Sequence, residues 1–560
     1  MRTPSRIDAI ADQFVHDYAA LDPLGATSLG IPGHEGRLPD LSPEGESARV
    51  ELQQRFLEDV GREAPSDAVD EVTQAAVAER YGLALELHEA GEYRRDLNNI
   101  ASPLQALREI FDLMPTGTVE DWENIASRMR ALPEAVAGYA ASLREGVRAG
   151  TMPALRQVRL GIEEADGNAD VDSSFFTGFV AGARPDGEAP PAALAEELEA
   201  AAKDARQAFA DLGEFLAEEL APEAEDTDAV GRERYELWSR YFLGARVDLD
   251  ETYEWGREEL ARIMAEQEAT AAELYGPGTT VKQAMERLNS DPERMIHGTD
   301  ALREWMQATA DEAIAALADV HFDIPGPVRT LEAMIAPTAT GGIYYTGPSA
   351  DFSRPGRMWW SVPEGVENFS TWYEKTTVYH EGVPGHHLQI AQTVYRSELL
   401  NMWRRMVSFT SGHAEGWALY AERLMEELGF LAEPGDRLGM LDAQRLRATR
   451  VVLDIGVHLG KSYPEELGGG EWTYENAWQF LRSNVEGEDA FLRFELHRYL
   501  GWPGQAPSYK VGQRLWEQMR DEARDAAQAR GEEFSLKDWH RRALDVGSVG
   551  LDTLAEALRK

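Results

Sequence analysis

Cysteine is missing altogether from the 560-residue chain. Disulfides, thiolate metal sites and cysteine nucleophiles are therefore excluded, and any metal must be held by His, Asp or Glu. Positive charge is scarce: 55 Lys and Arg face 99 Asp and Glu, a formal net charge of −44. An acidic surface of this kind repels nucleic acid and anionic membrane, so neither is expected as a partner. Long apolar runs are missing too. No window approaches the ~18 apolar residues of a membrane span, and the N-terminus carries Asp8 without an apolar run of signal length. The expectation is a soluble cytoplasmic protein. Histidine is rare, 12 in all, yet His380, His386 and His387 fall within eight residues.

That stretch reads Tyr379-His380-Glu381-Gly382-Val383-Pro384-Gly385-His386-His387-Leu388-Gln389. Imidazoles packed beside a carboxylate are what a zinc site with a general base requires. In His-Glu-x-x-His the two histidines lie one helical turn apart and share an ion, and the Glu between them addresses the attacking water. Here the position four after His380 is Pro384, which cannot ligate. On an undistorted helix His386 points about 120° away from His380, and His387 lies about 10 Å further along the axis. A site therefore demands a bulge, which Pro384-Gly385 is suited to make. With those two looped out, His380-Glu381-Gly-Val-His386 regains the zincin spacing. That favours His386 over His387 as second ligand and leaves His387 a supporting role.

A third ligand is expected from Ser411-Gly412-His413-Ala414-Glu415-Gly416-Trp417-Ala418-Leu419-Tyr420-Ala421-Glu422. Glu415 sits amid Trp, Leu and Tyr, where a carboxylate needs a reason to be. Glu422, two turns on, suits the orientation of a ligand.

The periodicity around these motifs predicts a mainly α protein. Helices are expected over 5–21, 45–60, 67–93 and 119–148, then to about 220 after a loop at 182–191. Further helices follow over 231–243, 249–274, 280–289, 298–319, 370–400, 402–428, 436–461, 472–499, 510–530 and 535–558, with a loop over 25–42. The acidic, Pro-containing stretch 222–228 marks a boundary between an N-terminal helical region, 1–225, and a catalytic region, 226–560, packed as one body. Between 328 and 363 the texture changes. Glycines flank two β-prone segments, one holding Tyr345, which predicts a small hairpin or sheet edge beside the His-Glu helix and a place for substrate. Arg354 and Arg357 fit a substrate carboxylate or surface salt bridges equally well. The helix holding Arg445, Arg447, Arg450, Asp454 and His458 is unusually polar. His458 is a candidate for substrate or oxyanion contact and equally a core histidine. The turn Trp502–Pro507 aims Tyr509, a candidate oxyanion donor.

These motifs resemble the bacterial domain of unknown function 885 family. The matching pieces are His-Glu-x-x-Pro-Gly-His-His-Leu-Gln, Glu-Gly-Trp-Ala-Leu-Tyr-Ala-Glu, Asp454-Ile455-Gly456-Val457-His458, and Arg498-Tyr499 leading to Pro503-Gly504-Gln505-Ala506 and Tyr509-Lys510-Val511-Gly512. Asp22-Pro23-Leu24-Gly25-Ala26-Thr27 extends the likeness to the start. The resemblance implies a helical, zincin-like fold related to gluzincin metallopeptidases and implies no known substrate. The resulting expectation is one zinc ion on His380, His386 and Glu415, with Glu381 as general base. Tyr509 or His458 is expected at the oxyanion, with His387, Glu422, Arg498 and Tyr345 in support or at the substrate, a peptide or small amide. Two alternatives stand beside it: an inactive binding protein on a zincin scaffold, and a metal enzyme of another class, since His-His-Glu also suits non-haem iron.

Overall fold

The computed structural model describes residues 2–336 and 342–560. The chain is mainly helical, and its helices start where the side chains can satisfy free backbone N–H groups. Thr118 and Asp121 form a reciprocal cap at the head of Val119–Ala149, and Asp248 accepts from two backbone amides to start Leu249–Tyr275. Arg232–Leu243, Val281–Asn289 and Thr299–Leu317 also lie where the periodicity puts them. The expected loop at 25–42 is partly helical: Pro23–Leu29 is capped by Asp22 and ends at Gly30 with φ 71°. Pro103–Leu113, closed by a Ser102–Gln105 capping box, was not expected. Besides 370–400, three long expected helices are each broken in two: 402–428 into Met402–Met406 and Ser411–Glu427, 472–499 into Tyr474–Asn484 and Asp489–Gly501, and 535–558 into Leu536–Val546 and Leu551–Arg559.

The apolar side chains do not divide at 225. The main core joins Ile7, Phe14, Phe56 and Tyr81 to Trp403, Trp417, Leu453 and Trp516. The joint is specific: Phe14 stacks on Phe56 with ring centroids 4.0 Å apart, and Trp403 Nε1 donates to the Tyr81 hydroxyl at 3.0 Å. A second core holds Leu104, Trp122, Phe176, Phe209 and Leu220. Residue 225 thus closes the second core, whereas the first helices belong with the C-terminal part. Phe176 lies in this second core, and Phe175 and Phe179 pack against it.

Two small sheets flank the site. Strands β1 (Met295–His297), β2 (Leu331–Ile335), β3 (Ile343–Thr346), β4 (Gly356–Trp360) and β5 (Asn368–Ser370) pair as β1–β5 and in the order β2–β4–β3. The antiparallel β3–β4 pair, with Tyr345 opposite Met358, forms where the hairpin was expected. Gly341, at its edge, lies outside the described residues. Strand β2, parallel to β4, is an addition. Its outer edge is taken by Gln307, which donates to Leu331 O and accepts from Ala333 N, both at 2.9 Å. Among the described residues, that leaves β3 as the unpaired edge of the three-stranded sheet.

Candidate metal centre

The expected continuous helix with a bulge is two helices. Thr371–Glu381 stops, residues 382–385 leave helical geometry, and His386–Tyr395 starts again. The Val383–Pro384 peptide is cis. The turn folds back onto the helix it has just left: Gly385 N donates to Tyr379 O at 3.0 Å, and His387 N donates to Gly382 O at 3.1 Å. A Cβ at Gly385 would overlap the carbonyl of His380, so glycine is required by close approach rather than by positive φ. Trp417 Nε1 pins the turn from outside by donating to Pro384 O at 2.8 Å.

This fold-back brings the two imidazoles together, their ring centroids 4.8 Å apart and their planes 87° to each other. His380 Nε2 lies 3.4 Å and His386 Nε2 3.5 Å from the same oxygen of Glu415, Oε2. Ligand atoms about 2.0–2.1 Å from a tetrahedral zinc stand about 3.3–3.4 Å from one another, so both spacings fit one ion. That oxygen has no hydrogen-bond partner among the described residues, nor have Glu381 Oε2 and His386 Nδ1, although all are buried. A buried unpaired acceptor is costly, and a cation beside Glu415 Oε2 would remove the cost there. Ligand-capable atoms of His380, Glu381 and His386 also lie within 4.8 Å of one another. Glu415 is the nearer carboxylate to both imidazoles, and Glu381 lies within reach of the same position.

Glu422 holds the His380 ring in place. Its Oε1 accepts from His380 Nδ1 at 2.7 Å and its Oε2 from Thr376 Oγ1 at 2.9 Å, and the residue is 1 % exposed. An Nδ1 that donates leaves the Nε2 lone pair for a metal. Burial pulls the His380 pKa down, but Glu415 and Glu422 outweigh it and push the imidazole up to about 10. Glu415 is likewise raised by burial, yet His386 and His380 hold it well below the usual carboxylate range. Burial raises Glu381, against the opposing pull of His386 and His380. Three carboxylates around two imidazoles make a donor set with surplus negative charge, suited to a dication.

His387 points elsewhere. Its Nε2 is 2.8 Å from Val328 O, which can only accept, so Nε2 carries the proton and Nδ1 accepts from the Tyr345 hydroxyl at 2.9 Å. Burial depresses its pKa to about 4. Tyr345 thus braces β3 against the second histidine helix, and a Cβ at Gly356 would overlap its hydroxyl.

Tyr509 reaches the centre through glycines. Ser411–Glu427 and Ser508–Ala529 cross so closely that a Cβ on Gly416 would overlap the backbone of Gly512. The crossing sets Tyr509, in the first turn, within the field of Glu415, which with burial raises its pKa. Arg498 Nη2 is 3.4 Å from the Tyr509 hydroxyl, and the same guanidinium pairs with Glu495 at 3.1 Å and Gln505 at 2.7 Å. The structure takes His458 away from substrate. It is 0 % exposed, its Nε2 donates to Tyr499 O at 2.9 Å, its ring lies 5.7 Å from Tyr235, and burial lowers its pKa to about 4. It is a neutral core histidine. Arg357 pairs with Glu332 at 2.7 Å. Sequence reasoning passed over Glu495, which accepts from Arg450 at 2.7 Å and also from the Tyr499 hydroxyl. Nothing in its local sequence separates it from the other helical glutamates.

The family model described as bacterial protein of unknown function, DUF885, matches residues 23–558. The chain belongs to this family. Two solved structures share the fold of this DUF885 protein. One, from Colwellia psychrerythraea and described as a candidate lipoprotein, has a TM-score of 0.84 at 21% identity and covers 99% of this chain and 98% of that one. The other, a candidate lipoprotein of unknown function from Shewanella oneidensis, has a TM-score of 0.74 at 16% identity over 100% of both chains. A candidate oligoendopeptidase F of Bacillus anthracis aligns at a TM-score of 0.31 and 12% identity, too low for an argument from shape. No curated protein matches the sequence. No helix among the described residues is long and apolar enough to cross a membrane.

Proposed function

We propose that this DUF885 protein is a zinc-dependent, gluzincin-like hydrolase of peptide or related amide bonds. The observation that carries the reading is the convergence of His380 Nε2 and His386 Nε2 on Glu415 Oε2, at 3.4 and 3.5 Å. A zinc ion held there supplies a Lewis acid that polarises a carbonyl and lowers the pKa of a water towards about 7. Glu381, buried with one unpartnered oxygen beside both imidazoles, takes the proton of the attacking water and hands it to the leaving nitrogen. Tyr509 donates its phenolic hydrogen to the developing oxyanion. The open edge of β3 receives the substrate backbone as an added strand. Glu381 beside the first histidine ligand favours hydrolysis over iron chemistry on the same donor set.

The test separates binding from chemistry. Glu381→Gln keeps about one equivalent of metal and loses roughly 10²–10⁴-fold in kcat on a panel of short free and blocked peptides. An unchanged rate removes Glu381 as base, and a metal-loaded wild type that cleaves none of the panel removes the hydrolase reading. The expected cytoplasmic placement draws no support from the two solved structures, both described as candidate lipoproteins.

A further inference from the structure

Beside the centre, two arginines share one carboxylate, and a third, Arg447, stands one turn away. Arg450 donates Nε to the Tyr499 hydroxyl at 2.9 Å and Nη2 to Glu495 at 2.7 Å. Arg498 shares Glu495 from the other side. Both guanidiniums lie over the Tyr509 ring, their carbons 5.0 and 5.9 Å from its centroid. The residues are 5 % and 9 % exposed, yet Arg450 Nη1 and Arg498 Nε have no hydrogen-bond partner among the described residues. The next carboxyl, Asp454, accepts from the Tyr235 hydroxyl and Gly504 N instead.

Arg447 stands one turn before Arg450 on the same helix, so the two side chains are neighbours. Its Nη1 donates to Ala443 O on its own helix at 3.3 Å, its buried Nε has no partner, and no ion pair engages it among the described residues. Its charge reaches Glu381, and Tyr373, which is 39 % exposed. Among the described residues Glu495 is the one carboxylate within ion-pair distance of these three guanidiniums, while Asp442, Asp454 and Glu381 act on them from further off. The contact shell thus carries a surplus of positive charge in a chain whose net charge is −44. The surplus lies between Glu381 and Tyr509, the two groups assigned to the proton and the oxyanion. A substrate anion is the group that would satisfy the idle N–H donors.

Building on the hydrolase reading, we propose that Arg447, Arg450 and Arg498, with Tyr509, form the subsite for a substrate carboxylate. The preferred substrates are then short peptides that carry a free carboxylate near the scissile bond. The carboxylate is that of the C-terminus or of an acidic side chain. These arginines bind and position, and the proton transfers stay with Glu381.

Calorimetry on the full chain, metal-stripped and zinc-loaded, tests this without turnover. The probes are N-acetyl-alanyl-alanine, its C-terminal amide, and N-acetyl-glutamate α-amide, whose only carboxylate is on the side chain. The metal-stripped protein should bind at least one acid about ten times more tightly than the amide. Tighter α-acid binding identifies the C-terminus, and tighter glutamate binding identifies a side chain. Arg447→Ala, at a half-buried residue without an ion pair, should lower acid binding about tenfold and leave amide binding unchanged. Arg450→Lys, which keeps a cation for Glu495, should weaken acid binding too. Equal binding of acids and amide overturns the proposal, as does a preference that survives both variants. A preference seen only with zinc also overturns it, because the ion then holds the carboxylate. If the acid preference persists while zinc-loaded protein cleaves no peptide, the carboxylate site stands and the hydrolase reading falls.

Discussion

The chain buries its imidazoles in two kinds of surroundings, the centre and the aromatic core behind it. His380, His458 and His540 are 4 %, 0 % and 0 % exposed, and burial is the first cause acting on each, always downwards. His540 stacks on Phe322 at 4.5 Å and lies 2.8 Å from the Tyr420 hydroxyl, and its pKa falls to about 3. His458, bonded to a backbone carbonyl, falls to about 4, whereas His380, between Glu415 and Glu422, rises to about 10. Equal burial gives opposite charge preferences, so depth alone does not pick out a ligand. The oxygens around the ring do.

The sharpest way to break that comparison uses two adjacent residues. His386→Ala removes one of the two imidazoles beside Glu415 and should take bound metal from about one equivalent to none, with peptide hydrolysis lost. His387→Ala should keep the metal, because both its ring nitrogens are engaged by Val328 O and Tyr345. It should instead cost roughly 1–3 kcal/mol of stability, since it strands a buried carbonyl. Metal analysis and denaturant unfolding of both variants decide the matter, and loss of metal in His387→Ala would reverse the ligand assignment. A smaller effect falls on Glu422→Gln, which keeps a hydrogen-bonding group but not the charge behind His380. Zinc affinity should drop about 10–100-fold in a competition titration, and an unchanged affinity would reduce Glu422 to a structural partner of Thr376.

Much of this was legible before any coordinates. The helices carry their caps in sequence, and Glu415 and Glu422 stand out as carboxylates at one face of an otherwise apolar helix. The fold-back at 382–385 was less so, because a Pro-Gly step predicts a disturbance but not its direction. Here the direction is set by Trp417, remote in sequence, holding Pro384 O. The polar series on Pro434–His458 did not separate its arginines from the core residue His458, for a different reason. That helix is buried around nearly its whole circumference, so a polar residue on it no longer marks one face. Arg450 turns to Glu495, Asp454 to Tyr235 and His458 to Tyr499 O, each meeting its own partner. The division of the cores was hidden because contacts such as Tyr81–Trp403 join residues more than three hundred positions apart.

His458 then gives the mildest test, on the core side of the comparison. Its folded pKa of about 4 lies below the unfolded value near 6.5, so between those limits the unfolded chain binds the extra proton. Stability from this residue is therefore fully present above about pH 6.5 and is lost as pH falls towards 4. Between pH 7 and pH 5 the loss should be roughly 2 kcal/mol. His458→Gln retains an N–H donor for Tyr499 O and cannot ionise. Its unfolding free energy, measured with denaturant at both pH values, should fall by about that much less than the wild type's. An identical pH slope in the two proteins would mean that His458 takes up its proton as readily in the folded chain as in the unfolded one, and the contrast with His380 would lose its core side.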